Sequence, residues 1–197
     1  MAPPADSVVI CLDEIGPDSA KSFPGRRLMP TAPAGERPRA RPEIDDGRRG
    51  RGDVFGAFVP AAGAAMTAPS SRRTTASVVA FVEHVDAWVT PGSDRVYAVL
   101  DNLAAHRAPD VLLWALAHPQ WAFVFQPNYA VSRNLIEPWW KILRSRALQG
   151  RRFDTWTAVC HAVEAATRYG NAHRPPSSGA SPSAAAPPDQ PASPAFR

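Results

Sequence analysis

The chain has 197 residues, 45% of them hydrophobic and 9% aromatic, which is enough for one domain of ordinary size with a buried core. Its formal net charge is +4, and 20 of the 22 cationic residues are arginines, which favours bidentate contacts to groups such as phosphate. The two cysteines do not have the spacing of a zinc site. We expect neither a secreted nor a membrane protein, because the sequence shows no leader peptide and no apolar run of ~20 residues. The expected location is therefore the cytoplasm.

Short apolar runs bounded by turn residues predict five strands in the chain. The runs are rich in β-branched and aromatic side chains, and they cover residues 8–12, 53–59, 64–67, 96–100 and 121–125. Residues 25–30 could hold a sixth, short strand. The runs 8–12 and 96–100 are expected to be buried on both faces, which is typical of a sheet with parallel neighbours. Together with the helices between them, the runs predict a mixed α/β domain with a parallel centre.

Four helices are predicted from apolar residues at helical spacing and from residues that can cap a helix. Thr75 caps a helix that runs to about residue 89, Pro109 opens a second, Asn134 caps a third that runs to 148, and Asp154 caps a last one to about 171. The residues expected to be buried include Val111, Leu112, Trp114 and Leu116 in the second helix, Ile136, Trp139, Trp140, Leu143 and Ala147 in the third, and Trp156, Val159, Cys160, Val163 and Thr167 in the fourth; Cys11 is expected to be buried in the first strand.

Two of the predicted strands end on a carboxylate. The run 8–12 leads into Asp13, and the run 96–100 leads into Asp101. The carboxyl ends of parallel strands meet at one edge of a sheet, where the two acids would raise each other's pKa unless a cation lay between them. Carboxylate oxygens suit Mg²⁺ or Mn²⁺ rather than zinc. The alternative for Asp101 is that it only caps the next helix.

Glu137 could supply a third carboxylate from the start of the third helix. Its alternative is a helix-surface ion pair, because Lys141 and Arg144 lie on the same side of that helix, four and seven residues later.

An arginine-rich stretch precedes the second predicted strand. Residues 26–52 contain eight arginines against four acids and end in Gly47-Arg48-Arg49-Gly50-Arg51-Gly52. Glycines between arginines let a backbone approach phosphates closely, so this stretch and residues 133–152 are candidates for contacts with DNA. The alternative for the stretch is a solvated loop.

With these residues in view, the chain resembles the catalytic domain of bacterial insertion-sequence transposases of the mariner-like superfamily, which are DDE enzymes. The matching phrases are Cys11-Leu-Asp13-Glu14, Pro24-Gly25-Arg26, Arg48-Arg49-Gly50, Val99-Leu-Asp101-Asn102 with His106, and Asn134-Leu-Ile-Glu137-Pro-Trp-Trp. The resemblance implies a ribonuclease H-like mixed sheet with flanking helices and metal-dependent cleavage and transfer of DNA strands. Its expected partners are transposon-end and target DNA and a second copy of the chain, in a nucleoid-associated bacterial protein.

The resemblance also implies the roles of particular residues. Asp13, Asp101 and Glu137 would hold two Mg²⁺ or Mn²⁺ ions. The residues expected to support these ligands are Glu14, Asn102, His106 and Asn134, and those expected to contact DNA are Arg26, Arg48, Arg49, Arg51, Lys141 and Arg144.

Several departures from the family pattern shape the expected domain organisation. We expect a stub at 1–6, a catalytic domain at 7–174 and a disordered Pro/Ser/Ala-rich tail at 175–197, without the helix-turn-helix region that reads transposon ends. Ser132-Arg133 stands where the family usually has an aromatic or apolar pair, Glu43-Ile-Asp45-Asp46 carries an acid where a Tyr is typical, and Gly170 stands where the family has an aromatic residue. The chain could therefore be a truncated copy, and the alternatives to a transposase domain are a stand-alone metal-dependent nuclease of the same fold and an inactive DNA-binding remnant.

Overall fold

Five strands form one mixed sheet, in the order β3-β2-β1-β4-β5. The computed structural model describes residues 6–24, 47–89, 93–100, 109–125 and 135–173. Within them the elements are β1 (Ser7–Ser19), β2 (Arg51–Val59), β3 (Ala64–Ser70), α1 (Thr75–Val89), β4 (Arg95–Leu100), α2 (Pro109–Ala117), β5 (Trp121–Phe125), α3 (Glu137–Ala147) and α4 (Trp156–Ala172). The predicted strand at 25–30 and the tail 175–197 lie outside the described residues.

The central strand β1 has one parallel and one antiparallel neighbour. It runs parallel to β4, with Cys11 opposite Val99, and β4 in turn runs parallel to β5. On its other side β1 pairs antiparallel with β2, which pairs antiparallel with β3. The prediction of a mixed α/β domain with a parallel centre is therefore confirmed.

β1 is longer than the apolar run predicted, and it does not end at Asp13. Pairing with β4 ends at Cys11, but pairing with β2 continues through Glu14 and Ile15 and, after an irregularity, to Ser19. The antiparallel partner supplies hydrogen bonds to this polar half of the strand, so the strand persists where the apolar run stops.

Helices cover both faces of the sheet. On one face, α1 and α2 pack against a cluster that includes Ile10, Leu12, Phe55 and Val96. On the other face, α3 and α4 pack against the alternate residues of the same strands, among them Cys11 and Val54, because successive side chains of a strand point to opposite faces. Two neighbouring side chains of β1 therefore serve different layers.

Two of the predicted helix caps are displaced by one residue. Thr74 rather than Thr75 caps α1, since its Oγ1 accepts from the Ser77 N–H at 3.2 Å. Thr155 rather than Asp154 caps α4, where Oγ1 accepts from the Ala158 N–H at 3.2 Å. The residue before α3 is Ile136, whose side chain makes no capping hydrogen bond, and the predicted cap Asn134 lies outside the described residues.

The predicted buried faces are correct for α3 and only partly correct for α2 and α4. All five residues named for α3 are buried. In α2, Val111 and Trp114 are buried, but Leu112 and Leu116 are 45% and 80% exposed, because this nine-residue helix turns one narrow side towards α1 and β5. In α4, Trp156 and Cys160 are only half-buried.

Buried hydrogen bonds join α4 to the edge strand β3. The Asn171 side chain accepts from the Ala65 N–H at 2.9 Å and donates to the Ala65 carbonyl at 2.8 Å. The hydroxyls of Thr67 and Thr167 lie 2.8 Å apart. The two Asn171 bonds satisfy backbone groups of β3, which is the edge strand of the described sheet. In the described part of the chain, none of the helices has the length and apolar character required to cross a bilayer.

Candidate active site

Asp13 lies on the face of the sheet that α3 covers. It is half-buried and follows Cys11 by two residues, so both side chains point to the same face. The Trp140 indole N–H donates to Asp13 Oδ2 at 2.9 Å, and Trp140 itself is only 3% exposed. This bond holds the first two turns of α3 against β1.

Glu137 is the first residue of α3 and is exposed. It precedes Trp140 by three residues, so the two side chains lie on the same side of the helix about one turn apart. Pro138 is tolerated beside it because the first turn of a helix needs no N–H donor there. The structure therefore brings the Glu137 end of α3 to the part of β1 that carries Asp13.

The chain that enters α3 also contacts β1 next to Asp13. Burial raises the pKa of the Cys11 thiol, a hydrogen bond with the Leu135 backbone acts in the opposite direction, and the charge of Asp13 adds to the rise. The contact of Cys11 with Leu135, two residues before Glu137, is a second link between the start of α3 and this strand.

Gly56 makes room for the contact between α3 and β1. The β1–β2 register places Gly56 opposite Asp13, and a Cβ atom added there would lie 2.5 Å from Trp140 Cζ2 and closer still to Cη2. Sequence reasoning missed both Gly56 and the role of Trp140. A glycine in the middle of an apolar strand, which often marks a close approach of another group, is the signal that could have indicated them.

Other predicted site residues cannot be placed. Asp101, Asn102, His106, Asn134 and Arg26 lie outside the described residues. Among the residues that are described, no group of three His, Cys, Asp or Glu side chains is arranged to hold a metal ion.

Glu14, predicted to support the metal ligands, takes part in an ion pair beside α1. Its carboxylate lies 3.0 Å from the Arg73 guanidinium, and its side chain is 5% exposed. Asp53 lies near this pair and is also buried, and its Oδ1 has no hydrogen-bond partner in the described part of the chain. Burial raises the pKa of Asp53, the Arg73 charge acts in the opposite direction, and Glu14 adds to the rise.

Two of the arginines predicted to contact DNA make contacts within the chain. Arg49 donates to the Phe153 carbonyl at 3.0 Å, and Arg144 pairs with Asp18 of β1 at 3.1 Å. Arg48, Arg51 and Lys141 are exposed.

The glycines of the arginine-rich stretch also have a role within the fold. A Cβ atom on Gly52 would lie 2.5 Å from the Trp156 ring, and one on Gly50 would lie 2.9 Å from Trp156 Cβ. Close packing against Trp156, and for Gly52 also against the Ser70 carbonyl oxygen, thus accounts for both glycines without a phosphate.

One family model and several solved structures match this chain. Residues 8–160 match the sequence model of the family described as DDE superfamily endonuclease. No curated protein matches the chain.

Solved structures share its fold at low sequence identity. The Mos1 transposase paired-end complex with left transposon end gives a TM-score of 0.56 at 12% identity, over 80% of this chain and 46% of that one. The Mos1 strand transfer complex gives 0.52 at 15%, over 85% and 51%. An intasome of simian T-cell lymphotropic virus bound to the PP2A regulatory subunit B56 gamma gives 0.52 at 13%, over 89% and 58%. The chain spans about half the length of these solved chains.

The fold expected from the resemblance is thereby confirmed, since a five-stranded mixed sheet with helices on both faces is shared with these transposase and integrase structures. The family match extends over more than three quarters of the sequence and includes both Asp13 and Glu137. This chain therefore belongs to the DDE superfamily endonucleases.

Proposed function

We propose that residues 7–174 form the catalytic domain of a DDE transposase, which cleaves DNA strands and joins them to a target with the help of divalent metal ions. Membership of the endonuclease family supports a nuclease chemistry, and the ribonuclease H-like sheet supports a site built from acids on β1, directly after β4 and on α3. Asp13, Asp101 and Glu137 are the proposed ligands.

The observation that carries this proposal is the register of β1 with β4. Cys11 lies opposite Val99 in a parallel pair, and Asp13 and Asp101 each follow their member of the pair by two residues. Residues two apart on a strand share a face, so a continued register would set the two carboxylates side by side. Trp140 brings the start of α3, and with it Glu137, to the same strand.

The donor set fits Mg²⁺ or Mn²⁺. All three proposed ligands offer carboxylate oxygens, which these hard cations prefer. The partner of Asp13 across the α3 contact is a neutral N–H, which orients the carboxylate without neutralising its charge. When bound, a pair of such ions activates water or a DNA 3′-hydroxyl and stabilises the leaving oxygen.

DNA is the proposed partner, bound through its phosphates near one end of β1. The β1–β2 register places Arg51 opposite Ser19, and the neighbouring Asp18 holds Arg144 of α3, so the two stretches predicted to contact DNA converge there. Exposed Arg48 and Lys141 add positive charge to these stretches. Such binding is sequence-indifferent and strongly dependent on salt.

Nicking of supercoiled plasmid in Mn²⁺ tests the proposed function. Wild-type protein is expected to nick the plasmid, and Asp13→Asn to reduce nicking by at least ~100-fold, because a metal ligand is lost. Asp94→Asn is the matched control, since Asp94 is exposed and lies just before β4, at the end of that strand away from Asp101.

The products separate the alternatives. Nicking followed by joining of a pre-cleaved 3′ end to the plasmid supports a transposase domain, and nicking without joining favours a stand-alone nuclease. DNA binding without any nicking in Mn²⁺ contradicts the proposal and favours an inactive remnant.

A further inference from the structure

Two adjacent tryptophans in α3 are both buried, but their indole N–H groups differ. Trp140 donates to Asp13 Oδ2 at 2.9 Å, a normal length for such a bond. Trp139 is 7% exposed and stacks on Phe58, and its Nε1 is buried with no hydrogen-bond partner among the described residues. A tryptophan can therefore pack at this interface without donating a hydrogen bond to a described residue. Packing alone does not explain the hydrogen bond from Trp140 to Asp13.

The Trp140 ring is held in place by close packing. Its outer edge lies over Gly56, where no Cβ could fit, and Ile136 of the preceding turn packs against the same spot. An indole confined in this way directs its N–H at one position. The acceptor that lies there is a carboxylate whose terminal torsion is otherwise broad, so the bond restricts the rotation of the Asp13 carboxylate.

The same bond connects Asp13 to the helix that carries Glu137. Trp140 lies one turn after Glu137 in α3, and its partner Asp13 belongs to β1. Anchoring of α3 by this N–H limits the movement of the first turn of the helix relative to Asp13.

We propose that Trp140 is a positioning residue of the active site, which orients the Asp13 carboxylate for metal binding and aligns the start of α3 with it. The inference rests on the proposed function, because it assigns Trp140 a role towards the metal ligands. A purely structural Trp140 would contribute to folding through its ring and leave metal affinity independent of its N–H.

An isosteric replacement removes the N–H of Trp140 and keeps a ring of nearly the same shape, so it distinguishes the effect of the hydrogen bond from that of packing. In Trp140→benzothienylalanine a sulfur atom takes the place of the N–H, and the same change at Trp139 is the matched control because that N–H donates to no described group. Isothermal titration with Mn²⁺ alone is expected to show a ~10–100-fold weaker affinity for the Trp140 variant, the usual effect of losing a partner of a metal ligand. The Trp139 variant should keep the wild-type affinity.

A second readout uses the unmodified chain, so that it does not depend on a variant that folds. The Trp140 indole ¹H–¹⁵N resonance should shift during titration with Mg²⁺, and the Trp139 indole resonance should shift much less. Equal Mn²⁺ affinity of the two isosteric variants, or a Trp140 resonance that stays constant while Mg²⁺ binds, overturns the positioning role even if wild-type protein nicks plasmid. Wild-type protein that neither binds Mn²⁺ nor nicks plasmid overturns the proposed function and this inference together.

Discussion

Replacement of Gly56 by alanine tests the packing that brings α3 to the candidate site. The new Cβ would lie 2.5 Å from Trp140 Cζ2 and 3.2 Å from Ile136 Cδ1. Carbon atoms in contact prefer about 3.5–4.0 Å, so the Trp140 ring would have to move by about an ångström. The ring has little room to move, because it is buried and hydrogen-bonded to Asp13.

Overpacking of this kind lowers the free energy of unfolding by about 1–3 kcal/mol. At ~2–4 °C per kcal/mol for a chain of this size, the thermal midpoint of Gly56→Ala should fall by about 2–12 °C. Without the clash the same change would be stabilising by ~0.4–1 kcal/mol, since alanine restricts the unfolded chain. The sign of the shift in a calorimetric or circular-dichroism melt therefore decides whether Trp140 occupies the space over Gly56.

A double-mutant cycle identifies the cause of the loss. Trp140→Phe removes the outer ring atoms that the new Cβ would meet. The loss of stability caused by Gly56→Ala should be smaller in that variant than in the wild type, by at least ~1 kcal/mol. Losses that add within ~0.5 kcal/mol, or an unchanged midpoint for Gly56→Ala alone, would refute the packing described here.

Three further predictions concern a buried acid, the edge strand and DNA. Burial raises the pKa of Asp53, so its carboxyl group contributes stability at low pH that is lost as the pH rises from the unfolded value of ~3.9 through the folded one. The thermal midpoint of Asp53→Asn should therefore rise relative to that of the wild type as the pH increases from 4 to 7. A difference between the two midpoints that stays constant over this range would contradict the prediction. Asn171→Ala breaks both hydrogen bonds to Ala65 and should lower the free energy of unfolding in urea by ~1–3 kcal/mol, whereas an unchanged urea midpoint would count against it. Arg51→Ala and Lys141→Ala should each reduce the slope of log affinity for DNA against log salt by ~0.9 in a fluorescence-anisotropy titration; an unchanged slope would remove that residue from the interface.

The sequence predicts those parts of the fold that depend on apolar periodicity. The buried face of α3 follows from the spacing of large apolar residues such as Trp139, Trp140 and Leu143, which leaves one orientation for the helix. The parallel centre follows from short apolar runs such as 96–100, whose residues are buried on one face of the sheet and half-buried on the other.

The features that the sequence does not predict depend on pairing between distant residues. The second half of β1 is polar, and it is a strand only because β2 pairs with it. Leu112 and Leu116 fit a helical stripe, but the short α2 has no neighbour on that side among the described residues. The bond from Trp140 to Asp13 joins residues 127 positions apart, and no local pattern specifies it.

Anomalous diffraction from crystals soaked in Mn²⁺ tests the central claim most directly. The account predicts manganese at ~2 Å from a carboxylate oxygen of Asp13, with Asp101 and Glu137 completing the oxygen ligands. Manganese bound only at other acids, such as Glu14, Asp18 and Asp53, or no manganese at Asp13 in crystals of protein that nicks plasmid, would contradict it.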